Sequence, residues 1–271
     1  MAALDKYMMK LAVMALILFA LAVVMTMTGR GGGNYYVLVL VLASVPMHEA
    51  ATTGQFILFT TAGGAALVFR KHEVLSLKLA FLMGSLTVGT AFCGGYFAHL
   101  FAGVALKALF SFLLVIAALL MLYPVRERSR QIQPRSGYWN LKIGDEVYAV
   151  NLGLVVPIAL ATGFCAGMVG VSGGSFLVPL MVLGCGVPMR IAVGTASILV
   201  AATACAGFLG HTLQGSFSPG LALPLAPAAI AGGVVGGRMA LKTRSVSLKK
   251  LFAVTTLAAA VLMMVNILVA R

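Results

Sequence analysis

A cluster of glycines and serines interrupts a long uncharged stretch in the second half of the chain. The cluster spans 170–179 and holds Gly173 and Gly174 between Ser172 and Ser175. Clustered glycines weaken a helix, and serine is a favourable first residue for a new one, so the sequence predicts a helix that breaks and restarts. The N–H groups at the start of the new helix suit an anion. The alternative is a glycine-rich contact between helices that binds no ligand.

The composition predicts an all-α polytopic membrane protein. Of the 271 residues, 61% are hydrophobic and 9% are charged, whereas a soluble chain carries about 25% charged residues. Apolar stretches alternate with basic turns, which predicts about eight to ten membrane segments. The net charge of +13 lies in these turns and indicates positive-inside topology and contact with anionic lipid. We therefore expect a multi-pass protein of the cytoplasmic (inner) membrane that contacts the lipid bilayer and binds no nucleic acid.

The two halves of the chain share one register, which indicates an internal duplication. An offset of 142 residues pairs Gly31-Gly32 with Gly173-Gly174, and Val45-Pro46-Met47 with Val187-Pro188-Met189. The same offset pairs Gly94-Gly95 with Gly236-Gly237. One register without gaps over a long stretch predicts duplicated structural units.

Basic residues lie in different turns of the two halves, and this predicts opposite orientations in the membrane. In the first half, Arg70 and Lys71 follow the third hydrophobic segment, whereas in the second half Lys242 and Arg244 follow the fourth. Inverted-topology repeats with broken helices near the midplane are typical of secondary transporters. Each repeat would hold a glycine-broken hairpin plus three transmembrane helices. We expect a single transmembrane domain made of repeat 1 (1–123), a cytoplasmic linker loop (124–146) and repeat 2 (147–271), with both termini outside.

The residues around the second break resemble a known family. The run G-x-S-G-G-S-F-L-V-P over 170–179, then a proline at 188, then A-V-G-T-A-S over 192–197 is similar to the hallmark of the TauE/SafE sulfite exporter family. His211 and the Gly-Gly pair at 236–237 fit as well. The resemblance covers nearly the whole chain outside the linker. It implies a secondary transporter that exports a small anion, most simply sulfite or a small organosulfonate, by alternating access around a midplane site.

The first half departs from the family pattern, so we expect the second half to form the better site. Val37 stands where Pro179 is expected, and the T-x-S element reads Thr53-Gly54-Gln55. The expected substrate-binding residues combine backbone N–H donors with hydroxyl and amide side chains, although each hydroxyl could instead bond its own helix. They are Gly31, Gly32, Gly33, Asn34, Thr53, Gln55, Ser172, Gly173, Gly174, Ser175, Thr195 and Ser197.

Charged and titratable residues near the mouths are expected to attract or gate the anion: His48, Arg190, Arg238 and His211. The alternative for such residues is an interfacial or structural position. The six acidic residues all lie outside the apolar spans, so no carboxylate is placed to relay protons at membrane depth. An inside-negative potential favours anion export, which predicts potential-driven flux, with proton coupling through His48 and Glu49 as the second version.

Other functions compete with export. An uptake permease for a sulfur anion such as thiosulfate would contact sulfur through cysteines, which stand at 93, 165, 185 and 205. An integral membrane enzyme needs a catalytic set near the interface, and the sequence offers none, so we expect no enzyme. A channel-like or purely structural subunit predicts no saturable flux. No metal ligand set and no cofactor motif is present, and assembly as a homodimer is left open.

Overall fold

The computed structural model describes residues 2–100, 103–122, 137–143, 146–169, 173–213 and 217–269. Its helices are α1 Ala2–Met27, α2 Gly33–Leu42, α3 Met47–Lys71, α4 Leu77–Phe97, α5 Gly103–Leu122, α6 Leu152–Val169, α7 Gly174–Pro179, α8 Met189–Thr212, α9 Pro219–Lys242 and α10 Ser245–Val269, and its strands are β1 Tyr138–Ile143 and β2 Glu146–Asn151. A π-helical turn, Leu180–Gly184, continues α7. Within the described ranges, seven helices are long and apolar enough to cross a membrane: α1, α3, α4, α6, α8, α9 and α10. The chain is an all-α polytopic membrane protein, as predicted.

Glycines with positive φ separate α1 from α2. Gly29, Gly31 and Gly32 have φ angles of 73°, 70° and 93°, which residues with a Cβ adopt only under strain. Gly32 precedes α2, and its carbonyl accepts hydrogen bonds from the N–H groups of Tyr35 and Tyr36. The first helix therefore stops and a second one begins at the predicted glycine cluster.

The short helix α2 returns toward the side of the membrane on which α1 begins. Lys10 Nζ donates a hydrogen bond of 2.8 Å to Ala43 O, so the end of α2 lies beside the start of α1. Ten residues of helix rise about 15 Å, half of a hydrocarbon core of about 30 Å. The second short helix behaves alike, because a Cβ on Gly184 would lie 3.1 Å from Leu154 Cδ2 at the start of α6. Both short helices thus reach partway across and return.

The polar segment between the two halves carries a β-hairpin, which we did not predict. Strands β1 and β2 pair antiparallel with Leu141 opposite Tyr148, and both side chains are buried. They belong to the same apolar core as α7 and its π-helical turn. Helix α6 consequently begins at Leu152 rather than near 147. The local signal was the alternation of apolar residues on either side of Gly144-Asp145.

Helices α3 and α8 occupy equivalent places in the two halves and run antiparallel against each other. Phe56, early in α3, contacts Phe208, late in α8, with ring centroids 5.5 Å apart. Ser76, just beyond α3, donates its N–H to Thr195 Oγ1 in the first turns of α8 at 3.0 Å. These two contacts lie at opposite ends of the pair, so the equivalent helices point in opposite directions.

Small residues let other helices pack in close parallel pairs. Helix α1 lies along α9, where Cβ atoms on Gly232 and Gly236 would collide with the backbone of Phe19 and Val23. Helices α4 and α6, α3 and α9, and α4 and α8 form further extensive contacts. Under the offset of 142 residues, the α1–α9 pair corresponds to α6–α4, and the α3–α9 pair corresponds to α8–α4. Each of these contacts therefore has its counterpart in the other half.

Candidate anion-binding site

The two glycine breaks touch each other. A Cβ on Gly174 would lie 2.5 Å from Gly29 O and 3.0 Å from Arg30 Cα. A Cβ on Gly31 would lie 3.0 Å from Val200 Cγ1, and the one on Gly174 would also lie 3.0 Å from this valine. Only residues without a side chain permit such an approach. The structure thus brings together glycines from both halves that the sequence marked as candidate ligands.

Arg30 is buried where the breaks meet. It is 2% exposed, and its guanidinium carbon lies 5.6 Å from the centre of the Phe252 ring. Nε donates to Ser175 Oγ at 2.9 Å, and Nη1 donates to Thr256 Oγ1 at 3.0 Å and to Thr255 Oγ1 at 3.4 Å. Each recorded partner is a neutral hydroxyl. Among the described residues, Arg30 is the only Lys, Arg, Asp or Glu whose side chain is buried.

A buried cation without a counter-ion is costly, because several kcal/mol of hydration are lost without an opposing charge. At membrane depth such a residue by default indicates a functional site. We did not predict Arg30 from the sequence. The signal was present, since Arg30 is the only Lys, Arg, Asp or Glu between Lys10 and Glu49 and glycines flank it at a helix break.

Three residues predicted to bind the anion carry buried polar atoms that lack a hydrogen-bond partner in the protein. These atoms are Asn34 Nδ2 and Oδ1, Thr53 Oγ1 and Gln55 Oε1. Thr53 and Gln55 are 0% and 1% exposed. Thr26 Oγ1, near the end of α1, is a fourth atom of this kind. Buried polar groups are normally paired, and an unpaired one costs about 1–3 kcal/mol, so a ligand that hydrogen-bonds here would remove a penalty.

Helix α3 carries Gln55 between the two breaks. A Cβ on the neighbouring Gly54 would lie 2.8 Å from Val37 Cγ2 of α2, so this part of α3 packs on the first short helix. On the other side, Gln55 Nε2 donates to Ala166 O of α6 at 3.4 Å. The Cβ of Ala166 lies 3.8 Å from the position that a Cβ on Gly173 would take. Gln55 therefore lies close to the backbone of the second break as well.

The corresponding residues of the second half already have partners. Thr195 Oγ1 accepts the N–H of Ser76 at 3.0 Å, and Ser197 Oγ donates to Val193 O one turn earlier in its own helix at 3.1 Å. The back-bond of Ser197 is the alternative that the sequence left open. The unpartnered groups, and the buried charge, thus come from the first half, although we expected the second half to form the better site. Ser172 lies outside the described residues.

A cavity of about 410 Å³ opens where α1, α3 and α9 begin and α2 ends. Its polar lining includes Lys10, Ser44, Glu49 and Ser218. His48, which precedes Glu49, is exposed at the start of α3. This cavity lies at the place expected for a mouth of the transport path. Arg238, in contrast, is exposed near the other end of α9, where a topological charge is expected.

The remaining two candidates for gating contact the backbone of neighbouring helices. Arg190 Nη2 donates to Thr243 O at 3.0 Å, while its buried Nε has no partner in the protein. His211 is 6% exposed, and its Nε2 lies 3.0 Å from Gly167 O of α6. In this conformation both side chains connect helices.

The cysteines do not form a cluster. Cys93 is exposed in α4, Cys185 is buried after the π-helical turn, and Cys165 and Cys205 are partly exposed in α6 and α8. Cys165 packs against a small apolar cluster that includes Tyr35. The Tyr35 hydroxyl donates to Thr255 O at 2.6 Å, so this cysteine is the one nearest to the surroundings of Arg30 for which a contact is recorded.

Comparisons with known proteins point to a membrane transporter. The family model described as sulfite exporter TauE/SafE matches residues 14–263. A curated relative, "Probable membrane transporter protein YunE" of Bacillus subtilis (strain 168), is 25% identical over 198 residues, which cover 69% of this chain and 70% of the relative. No solved structure gives a significant match. Because the family model spans nearly the whole chain, the protein belongs to the TauE/SafE sulfite exporter family.

Proposed function

We propose that this membrane transporter exports a small anion, either sulfite or a small organosulfonate, across the cytoplasmic (inner) membrane. The observation that carries the proposal is Arg30, a buried cation held by neutral hydroxyls where the two helix breaks meet. A guanidinium presents its donors in a planar fork that matches the oxygens of an oxyanion. The name of the family supports sulfite as the first substrate to test.

Neutral donors supply the rest of the proposed site. Asn34 Nδ2 and Thr53 Oγ1 are buried donors without a partner in the protein. The N–H groups of Gly33 and Asn34 precede the first intrahelical hydrogen bond of α2, whose positive end favours a negative charge. These groups can replace the hydration shell of an anion without adding a second charge, so the anion can bind and still leave.

Alternating access is the transport cycle that the helix directions favour. Equivalent helices α3 and α8 run antiparallel, and the parallel contacts of one half have counterparts in the other. Both features support two inverted repeats, which we place at 1–123 and 147–271 on either side of the 124–146 linker. Repeats of this kind move against each other around a fixed midplane site.

The membrane potential is the proposed driving force. An inside-negative potential assists the exit of a singly charged anion by about 2.3 kcal/mol per 100 mV. Among the described residues, no carboxylate is buried, so a proton relay at depth has no candidate there. Coupling through His48 and Glu49, beside the cavity, is the second version. Flux from proteoliposomes under an imposed potential without a pH gradient supports the first version, whereas flux that requires a pH gradient supports the second.

The function is tested by substituting Arg30. We expect Arg30→Gln to reduce sulfite flux at least tenfold, since a charge-assisted hydrogen bond contributes more than 1.4 kcal/mol, the equivalent of about tenfold. Arg30→Lys retains the charge without the planar fork, so an intermediate flux is expected. Arg238→Gln removes an exposed charge and serves as the matched control. Wild-type flux in a folded Arg30→Gln protein would rule out the proposed role of Arg30.

Uptake of a sulfur anion such as thiosulfate is the second candidate. The packing of Cys165 beside Tyr35 favours it, since a sulfur atom lies near the proposed site. Both candidates are transport functions, and we propose no enzymatic activity. Measuring flux in both directions with sulfite and thiosulfate separates them.

A further inference from the structure

The amide of Gln55 has an orientation that the protein sets. Nε2 donates to Ala166 O at 3.4 Å, and the reverse orientation would place two acceptors against each other. Oε1 therefore points away from Ala166, and it is buried without a partner in the protein. An unpaired buried acceptor requires a donor from a ligand.

Gln55 lies one helical turn from the level of Arg30. Leu58, three residues later in α3, faces the same side of the helix. Its Cδ1 lies 2.5 Å from the position that a Cβ on Gly31 would take, and Gly31 is the residue after Arg30. Three residues of helix rise about 4.5 Å, a distance that a small sulfonate spans. One anion can therefore reach both the guanidinium and the Gln55 carbonyl oxygen.

The site offers one positive charge. Arg30 is the only buried Lys, Arg, Asp or Glu among the described residues. A singly charged anion gives a neutral pair with it, whereas a doubly charged anion leaves one negative charge uncompensated in surroundings of low dielectric constant. The charge and the unpaired acceptor thus restrict the substrate in two independent ways.

We propose that the site selects singly charged oxyanions that carry a hydrogen-bond donor of their own, and this inference rests on the transport function proposed above. The anion oxygens bind the Arg30 guanidinium, and the donor binds Gln55 Oε1. Hydrogensulfite and hydroxyalkanesulfonates belong to this class. The sulfite dianion lacks the donor and has the wrong charge, and simple alkanesulfonates lack the donor.

A pair of anions that differ by one hydroxyl group tests the proposal. Isethionate and ethanesulfonate are both singly charged and of similar size, but only isethionate has a donor. In proteoliposomes under an imposed potential, below saturation, we expect isethionate to move about tenfold faster, because ethanesulfonate leaves Gln55 Oε1 unpaired. Equal flux of the two anions overturns this inference and leaves the proposed transport function standing. Absence of flux for either anion and for sulfite overturns both.

Substitution of Gln55 locates the preference. Gln55→Met has a similar length without the acceptor, so we expect the ratio of the two fluxes to fall to about one while ethanesulfonate flux is retained. Thr52→Val is the matched control, since the Thr52 hydroxyl is buried and bonds His48 O of its own helix. The control should keep the wild-type ratio. A folded Gln55→Met protein that also keeps this ratio overturns the assignment of Gln55.

The pH dependence of the wild-type protein gives a second test that needs no variant. Hydrogensulfite loses its proton near neutral pH, so at constant total sulfite we expect the flux to fall as the pH rises through that range. Ethanesulfonate does not titrate there, and its flux reports any effect of protein groups such as His48, Glu49 and His211. A ratio of sulfite to ethanesulfonate flux that rises with pH indicates that the dianion is carried and overturns the proposal.

Discussion

Arg30 Nε donates a hydrogen bond of 2.9 Å to Ser175 Oγ, although 145 residues separate the two positions. The bond joins the glycine break of the first half to the restarted helix of the second half. A movement of one short helix relative to the other must lengthen it. An anion that takes over the Arg30 donors would replace the hydroxyl as partner, so binding and movement are coupled at this point.

Loss of the Ser175 hydroxyl should destabilise the protein. In Ser175→Ala, Arg30 Nε loses its recorded acceptor, and we expect a decrease of about 1–3 kcal/mol in the free energy of unfolding. Ser197→Ala is the control, because that hydroxyl bonds only its own helix, and a change of less than about 1 kcal/mol is expected. Denaturant unfolding in detergent measures both. Equal effects of the two substitutions would contradict a specific role for the bond between Arg30 and Ser175.

A methyl group at the contact between the breaks should abolish transport. In Gly174→Ala the Cβ would lie 2.5 Å from Gly29 O, a backbone atom that cannot move without displacing the first break. We expect loss of flux and a lower unfolding temperature. Gly89→Ala is the control, since no atom lies within 4 Å of its Cβ position. An exposed helical Gly→Ala change typically stabilises by about 0.5–1 kcal/mol. A Gly174→Ala protein with normal flux would show that the two breaks need not touch.

Two adjacent threonines should differ in function. Thr53 Oγ1 is buried without a partner, so Thr53→Val removes an unpaired group, and we expect stability to be kept or raised while anion flux falls several-fold. Thr52 Oγ1 donates to His48 O, so Thr52→Val should leave flux unchanged. Flux assays and thermal unfolding of the same preparations decide the matter. Similar flux in both variants would remove Thr53 from the site.

The cysteines should be dispensable for export. They are dispersed over α4, α6, α8 and the segment before α8, and they form no cluster in the described part of the chain. We expect a protein with Cys93, Cys165, Cys185 and Cys205 all changed to Ala to keep sulfite flux within about twofold, since Cys→Ala changes mainly packing volume. Loss of flux in this variant, recovered by restoring Cys165 alone, would favour direct contact between cysteine and the sulfur of the substrate.

Local sequence patterns determined the membrane helices and the two breaks. Span length, hydropathy and glycine conformation act over a few residues, so stretches such as 29–33 and 173–175 could be recognised without any contact between them. The offset of 142 residues likewise follows from the order of residues alone. The β-hairpin was also readable locally from its alternation around Gly144-Asp145, and it was missed because the charged segment was interpreted as a loop.

Only the tertiary structure decided which polar groups are left for a substrate. Thr53 and Thr195 occupy equivalent positions, yet Thr195 Oγ1 accepts the N–H of Ser76 and Thr53 Oγ1 has no partner. No local pattern distinguishes them, because the difference comes from residues more than 100 positions apart. The same holds for Arg30, whose burial depends on Ser175 and α10. Satisfaction of buried polar groups is a property of the packed molecule, and it moved the centre of the site from the second break to the first.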